Sequence, residues 1–173
     1  MNNQTTPVIS FVAKSGSGKT TLLEKVIQRL RDHGIRLAVI KHDAHQFDID
    51  KPGKDTWRLA QAGADIVAIS SPAKVAIIEK VVEEKQLDEV IAMLAPVDLI
   101  LTEGFKRSGK PKIEVFRSAA HKDLLCEAGE LLAIASDVVW DIGVPCCDIN
   151  DIDGIVQEVL KYLWNFPNAA AAK

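Results

Sequence analysis

Eight consecutive residues, Ala13-Lys14-Ser15-Gly16-Ser17-Gly18-Lys19-Thr20, have the types and order needed to hold a chain of phosphates. Glycines at 16 and 18 let the backbone come close enough for its N–H groups to surround phosphate oxygens. The amino end of a following helix would add partial positive charge. Lys19 would reach the β- and γ-phosphates, and the Thr20 hydroxyl would ligate Mg²⁺. The setting also fits a phosphate-binding P-loop, because the apolar run Val8-Ile9-Ser10-Phe11-Val12 precedes the turn and a helical pattern follows it. Ser15, Gly16, Ser17, Gly18, Lys19, Thr20 and Thr21 are therefore the expected nucleotide-binding run. The usual motif opens with glycine where this chain has Ala13, so the turn must be reached there with an ordinary backbone. Lys14 admits two readings: a second lysine reaching a partner's nucleotide, as in a deviant P-loop, or a solvated lysine beside the site.

Such a loop needs a carboxylate at the end of a neighbouring parallel strand to hold the metal, usually through water. Leu99-Ile100-Leu101-Thr102-Glu103-Gly104 supplies Glu103 at a strand's carboxyl end, where α/β sheets keep their ligands. Thr20 and Glu103 are thus the candidate metal residues, and Glu103 is the candidate catalytic group that positions an attacking water. Asp137 follows the apolar run Leu131 to Ala135, where an Asp in P-loop GTPases reads guanine. The full Asn-Lys-x-Asp pattern is absent, so a capping or surface role for Asp137 stands beside the guanine-reading one.

The remaining residues must build a scaffold for these groups. The chain has 173 residues, 47% of them hydrophobic and 26% charged, which suits one domain with a real core. We expect a single nucleotide-binding domain over 1–167 and a disordered tail over 168–173. The net charge of −3 gives no general attraction to nucleic acid or an anionic membrane. No apolar run is long enough to span a bilayer, and the amino terminus lacks a secretion signal, so the expected location is cytoplasmic. Cys126, Cys146 and Cys147 are odd in number with two adjacent, which argues against a disulfide framework, and no CxxC or HxxxH spacing supports zinc.

The first helix places Leu22, Leu23, Val26, Ile27 and Leu30 on one stripe and stops at Gly34. Leu37 to Ile40 reads as a strand buried on both faces, giving a βαβ start. A polar loop of unusual length, Lys41 to Lys54, leads to a short helix over Thr56 to Ala62. Asp65–Ser70 and Lys74–Ile78 are joined by only three residues and must pair as a hairpin, expected at one edge of the sheet. Covering that edge with a second subunit would protect it, which suggests a homodimer. Further strands are expected at Val97–Thr102, Ile113–Phe116, Leu131–Ala135 and Val144–Cys147, with helices over Leu87–Leu94 and from Ile152 to Leu163. The fold class is α/β: a P-loop NTPase three-layer sandwich with a mostly parallel sheet and an antiparallel hairpin at one edge.

Several blocks go beyond a generic P-loop. They are Lys41-His42-Asp43-Ala44-His45-Gln46-Phe47-Asp48-Ile49-Asp50-Lys51-Pro52-Gly53-Lys54-Asp55, Leu101 to Lys106, Ile113-Glu114-Val115-Phe116-Arg117 and Cys147 to Ile152. With Arg58 and Ala62-Gly63-Ala64 they resemble the MobB family of molybdopterin-guanine dinucleotide biosynthesis proteins, over nearly the whole folded chain. The resemblance implies a GTP-binding accessory protein with at most weak GTPase activity, using Mg²⁺ and forming a homodimer. Its partner would be the guanylyltransferase that joins GMP to molybdopterin, with molybdopterin itself as a further contact. By the same resemblance His42, His45, Asp48, Asp50, Asp55 and Lys106 lie near the ligand or partner. The basic set Lys106, Arg107, Lys110 and Lys112 could meet a pterin phosphate or the partner enzyme.

Two other classes compete with this reading. A small-molecule kinase would need a base, for which Asp43 or Asp50 could serve, and an arginine-bearing lid. Arg58, Arg107 and Arg117 are scattered in sequence and no lid is evident. A pure binding module would retain nucleotide without hydrolysing it.

Overall fold

The computed structural model describes residues 6–43 and 47–167; His45 and the expected tail at 168–173 lie outside them. Five-residue β1 (Val8–Val12) is buried throughout and leads through the glycine-rich turn into α1 (Lys19–Asp32). That helix buries Leu22, Leu23, Val26 and Leu30, and Arg29 and Arg31 complement the dipole in its last turn. The chain continues through β2 (Leu37–Lys41), α2 (Asp55–Gln61), β3 (Ile66–Ser71), β4 (Lys74–Glu79), α3 (Leu87–Ala92) and β5 (Leu99–Glu103). Next come β6 (Lys112–Phe116), a 3₁₀ turn at Ala128–Glu130, β7 (Leu131–Ser136), β8 (Cys146–Asp148) and α4 (Ile152–Asn165). Asp151 caps α4, its Oδ1 accepting from the Gly154 N–H at 2.9 Å. Among the described residues, no helix is long and apolar enough to cross a membrane.

The described chain forms two compact units, one from residues up to 42 and from 94 on, the other from 43 to 93. The first holds a six-stranded sheet in the order β2-β5-β1-β6-β7-β8, with every pairing parallel. This is the expected α/β P-loop architecture. One expected detail is corrected. The hairpin β3–β4 does not extend that sheet but forms a two-stranded antiparallel sheet of its own. The edges of the main sheet are instead β2 and the three-residue β8. Edge position also explains why β2 is not buried on both faces, since Val39 is 43% exposed.

In the second unit, Ser71 closes the hairpin turn, its hydroxyl donating to the Lys74 carbonyl and accepting from the Lys74 N–H at 3.1 Å each. Lys80 reaches from the end of the hairpin to the Ala60 carbonyl of α2 at 2.7 Å.

The sheet of the first unit has two unlike faces. Ile9, Phe11, Leu99, Leu101, Ile113, Val115, Ala133 and Ala135 point to one side and form a single cluster with the apolar stripes of α1 and α4. On the other side Val8, Ile100, Phe116 and Ile134 alternate with buried Ser10, Thr102, Lys112, Glu114 and Ser136. Loops, not helices, are tied to this polar face within the unit. Glu114 accepts the Leu125 and Cys126 N–H groups at 2.6 and 2.9 Å, and Ser108 lies 3.4 Å from the Ser10 hydroxyl.

Candidate functional site

β1 occupies the middle of the sheet, with β5 and β2 on one side and β6, β7 and β8 on the other. Loops leaving β1 and its neighbours therefore diverge at its carboxyl end, where open α/β sheets form a crevice. The glycine-rich loop, Ala13 to Gly18, emerges there. Gly16 and Gly18 have φ of 81° and 80°, a conformation that L-residues with a Cβ resist. Ala13 is not left-handed, so the missing first glycine of the motif costs no backbone strain. Ser17 is buried and its hydroxyl donates to the Lys14 carbonyl at 3.0 Å, closing the loop on itself. Gly18 caps α1 and its carbonyl accepts the Leu22 N–H at 3.0 Å, so the first helical N–H groups face the crevice.

Parallel pairing sets Glu103 beside Phe11, and this register brings its carboxylate to the start of α1. Glu103 Oε1 accepts both Lys19 Nζ at 2.7 Å and Thr20 Oγ1 at 2.8 Å. Burial, the largest influence, pushes the Glu103 carboxyl up. The hydrogen bonds from Lys19 and Thr20, together with the Lys19 and Lys41 charges, outweigh it and hold the group below its ordinary value. The site thus joins an ionised carboxylate, a hydroxyl and an ammonium at one point. Thr20 and Glu103 offer the hard oxygen donors that suit Mg²⁺, an ion that keeps several waters and needs few protein ligands. Among the described residues, no group of three or more His, Cys, Asp or Glu side chains could form an all-protein metal cage.

Immediately after Glu103 the chain turns sharply, with Gly104 at φ 99° and Phe105 at φ 50°. A side chain at Gly104 would meet the His42 Cβ at 3.1 Å and the His42 carbonyl at 3.3 Å, so glycine is needed for space as well as conformation. Left-handed backbone at a bulky residue costs about 1–2 kcal/mol. The Phe105 ring packs at 4.7 Å against His42, whose N–H donates to the Glu103 carbonyl at 2.8 Å. His42 therefore lines the turn next to the carboxylate.

Each of the other expected contacts has its own local surroundings. His45 is outside the described residues. Asp48 and Lys106 are exposed. Asp50 accepts the Lys51 N–H at 2.8 Å and the Thr56 hydroxyl at 3.0 Å, bonds that shape the approach to α2. Asp55 opens α2 and is exposed, with Arg58 at 3.9 Å. Lys112 does not belong to a basic surface: it is 2% exposed and paired with Glu130 at 2.6 Å. Its place on an inward-facing strand position removes it from any pterin or partner contact. Asp137 accepts the Ser118 N–H at 2.8 Å and the Ser118 hydroxyl at 3.0 Å, so both carboxylate oxygens are engaged within the protein.

Sequence reasoning missed the segment after β6. Arg117 Nε donates to the Ser17 carbonyl at 3.4 Å, and a guanidinium nitrogen lies 3.5 Å from where a Gly18 Cβ would be. His121 Nε2 is 2.7 Å from the Ser15 carbonyl, and Lys14 Nζ donates to the Asp123 carbonyl at 2.9 Å. Lys14 is thus tied to its own chain. The available signal was position: Arg117 directly follows β6, the strand next to β1, at its carboxyl end.

A family model described as molybdopterin guanine dinucleotide synthesis protein B, MobB, matches residues 8–137. The molybdopterin-guanine dinucleotide biosynthesis adapter protein of Escherichia coli K12 is 40% identical over 163 residues, spanning 91% of this chain and 93% of its own. Its namesake in Haemophilus influenzae is 37% identical over 171 residues, spanning 98% and 96%. A crystal structure of molybdopterin-guanine biosynthesis protein B superposes with a TM-score of 0.68 at 31% identity, covering 89% of this chain and 98% of that one. The glycine-rich loop, β5 and β6 all fall within the matched stretch, and the chain belongs to the MobB family.

Proposed function

We propose that this protein is an adapter in molybdenum cofactor biosynthesis that binds Mg²⁺–GTP and assists the guanylyltransferase attaching GMP to molybdopterin. The observation that carries the nucleotide part is the convergence of Lys19 and Thr20 on one Glu103 oxygen at the mouth of a glycine-rich loop. The family and the names of its relatives support the biosynthetic part. Ser15, Gly16, Ser17, Gly18 and Thr21 would offer the phosphates their backbone N–H groups, and Lys19 would turn from Glu103 to the β- and γ-phosphates. Thr20 and Glu103 would hold Mg²⁺, which would neutralise phosphate charge. Glu103 is the candidate to orient a water, and hydrolysis by the isolated protein would be slow. His42, beside Glu103, and exposed Lys106 are candidate contacts for the partner enzyme or for molybdopterin. The kinase alternative has no comparable support, since the relatives are named adapters.

A homodimer is part of the same reading. On one face of the β3–β4 hairpin Ile66, Val75 and Ile77 are 58%, 64% and 62% exposed, an apolar surface suited to a second copy. The cytoplasm, where GTP is made and used, is the proposed location.

Titration calorimetry of GTP against ATP with Mg²⁺ tests the site. Wild type should bind GTP, and Lys19→Ala should weaken it at least about a hundredfold, the scale of charge-assisted phosphate contacts. Equal affinity in Lys19→Ala and wild type would refute the assignment.

A further inference from the structure

We propose that Asp137 is a positioning residue that shapes the phosphate loop through the turn at 117–123, instead of reading a base. The contacts form a continuous chain. Asp137 holds Ser118 by both its N–H and its hydroxyl. Ser118 lies in a tight turn closed by the Ala120 and His121 N–H groups on the Arg117 carbonyl, at 3.0 and 3.1 Å. That turn presents Arg117 to the Ser17 carbonyl and His121 to the Ser15 carbonyl, while the following residues supply the Asp123 carbonyl to Lys14. Downstream, Glu114 holds the Leu125 and Cys126 N–H groups. The segment is therefore pinned at Ser118 and at Leu125 and Cys126, and Arg117, His121 and Asp123 beside or between these pins touch the phosphate loop.

Peptide planarity turns these contacts into a device. A carbonyl and the N–H that follows it point in opposite directions across one rigid plane. Holding the Ser15 and Ser17 carbonyls from one side therefore orients the Gly16 and Gly18 N–H groups to the other. These N–H groups belong to two glycines that would otherwise be the most mobile of the loop. Fixing them before a ligand arrives reduces the ordering that binding requires. Each Asp137 oxygen already accepts one bond from Ser118, so the Asp137 geometry in the ligand-free protein is set by the turn.

The brace can be tested without nucleotide, and only its consequence for affinity rests on the proposed GTP site. Backbone ¹⁵N order parameters at Gly16 and Gly18, measured by NMR on the ligand-free protein, should fall from about 0.85, the rigid value, to below about 0.6 in Asp137→Ala. Asp137→Asn keeps an acceptor for the Ser118 N–H and should fall between Asp137→Ala and wild type. Arg117→Lys keeps the charge but loses the fork, and should also lower them. In Mg²⁺–nucleotide titrations Asp137→Ala should weaken GTP and ATP by the same factor. Order parameters unchanged in Asp137→Ala, or a loss confined to GTP, would overturn the proposal. If wild type binds neither nucleotide, the functional reading fails while the order parameters still decide the brace.

Discussion

The two faces of the central sheet are built on different physics. Beneath α1 and α4 lies a continuous apolar cluster in which strand and helix backbones satisfy their own hydrogen bonds. The opposite face is tied to loops, whose N–H groups have no such internal partners. Buried Glu114 meets that need by taking two loop N–H groups, while the other polar side chains of this face pair among themselves or with the rim, Thr102 donating to Ser10 at 2.8 Å and Lys112 to Glu130. The helical face supplies apolar burial, and the polar face fixes the segment that touches the glycine-rich loop. A buried polar group is costly when unpaired, so this face specifies one loop arrangement more sharply than apolar packing would.

Truncation on each face separates these roles. Phe11→Ala removes a fully buried ring from the helical face and should cost about 3–5 kcal/mol, read as a lower urea midpoint at unchanged slope. Glu114→Ala should cost about 3 kcal/mol by leaving two loop N–H groups without their partner. Unlike Phe11→Ala, it should also expose 117–127 to proteolysis below the unfolding transition, and equal cutting in the two variants would erase the contrast.

Lys112 and Glu130 sharpen the point, because only the lysine is buried: their side chains are 2% and 45% exposed. Glu130→Ala strands a buried ammonium and should cost about 3 kcal/mol, whereas Lys112→Met leaves a carboxylate that water can reach and should stay within about 1 kcal/mol of wild type. Equal losses in denaturant melts would show that the pair is not asymmetric.

Acid provides a smaller effect. Lys112 holds the Glu130 carboxyl below its ordinary value, the Ser118 N–H does the same for Asp137, and Glu103 is lowered despite burial. Groups with depressed folded-state values stabilise above their unfolded values, 4.5 for Glu and 3.8 for Asp, and lose that contribution as pH falls through the folded ones. Melting temperature should therefore hold from pH 7 to about 5 and drop below about 4, with a shallower drop in Glu130→Gln. The least effect concerns Cys126, whose thiol is pushed up to about 12 by burial and by Glu114 and Glu130. Alkylation at pH 8 should be slow there, and Glu114→Gln should quicken it.

Helices and strands along the chain were readable because their signals are local. The α1 stripe and the apolar runs of β5 and β7 have the spacing of their elements, and the hairpin follows from a link too short for any parallel crossover. Two readings misjudged environment. Leu37 to Ile40 looked buried on both sides, but strand order put it at an edge. Lys112 looked like one of a basic surface set, yet alternation along β6 turned it inward.

By itself the sequence determined the glycine-rich turn, since Ser15 to Thr21 are contiguous and covalent geometry alone keeps their N–H groups together. Strand order decided what meets that loop. Glu103 reaches Lys19 across 84 residues, Arg117 reaches Ser17 across 100 and His121 reaches Ser15 across 106. At such separations no spacing rule survives, because the meeting depends on β5 and β6 flanking β1 and on the register that aligns their carboxyl ends. The engagement of Asp137 by Ser118 is likewise a consequence of β6 lying next to β7, and only the folded sheet reveals it.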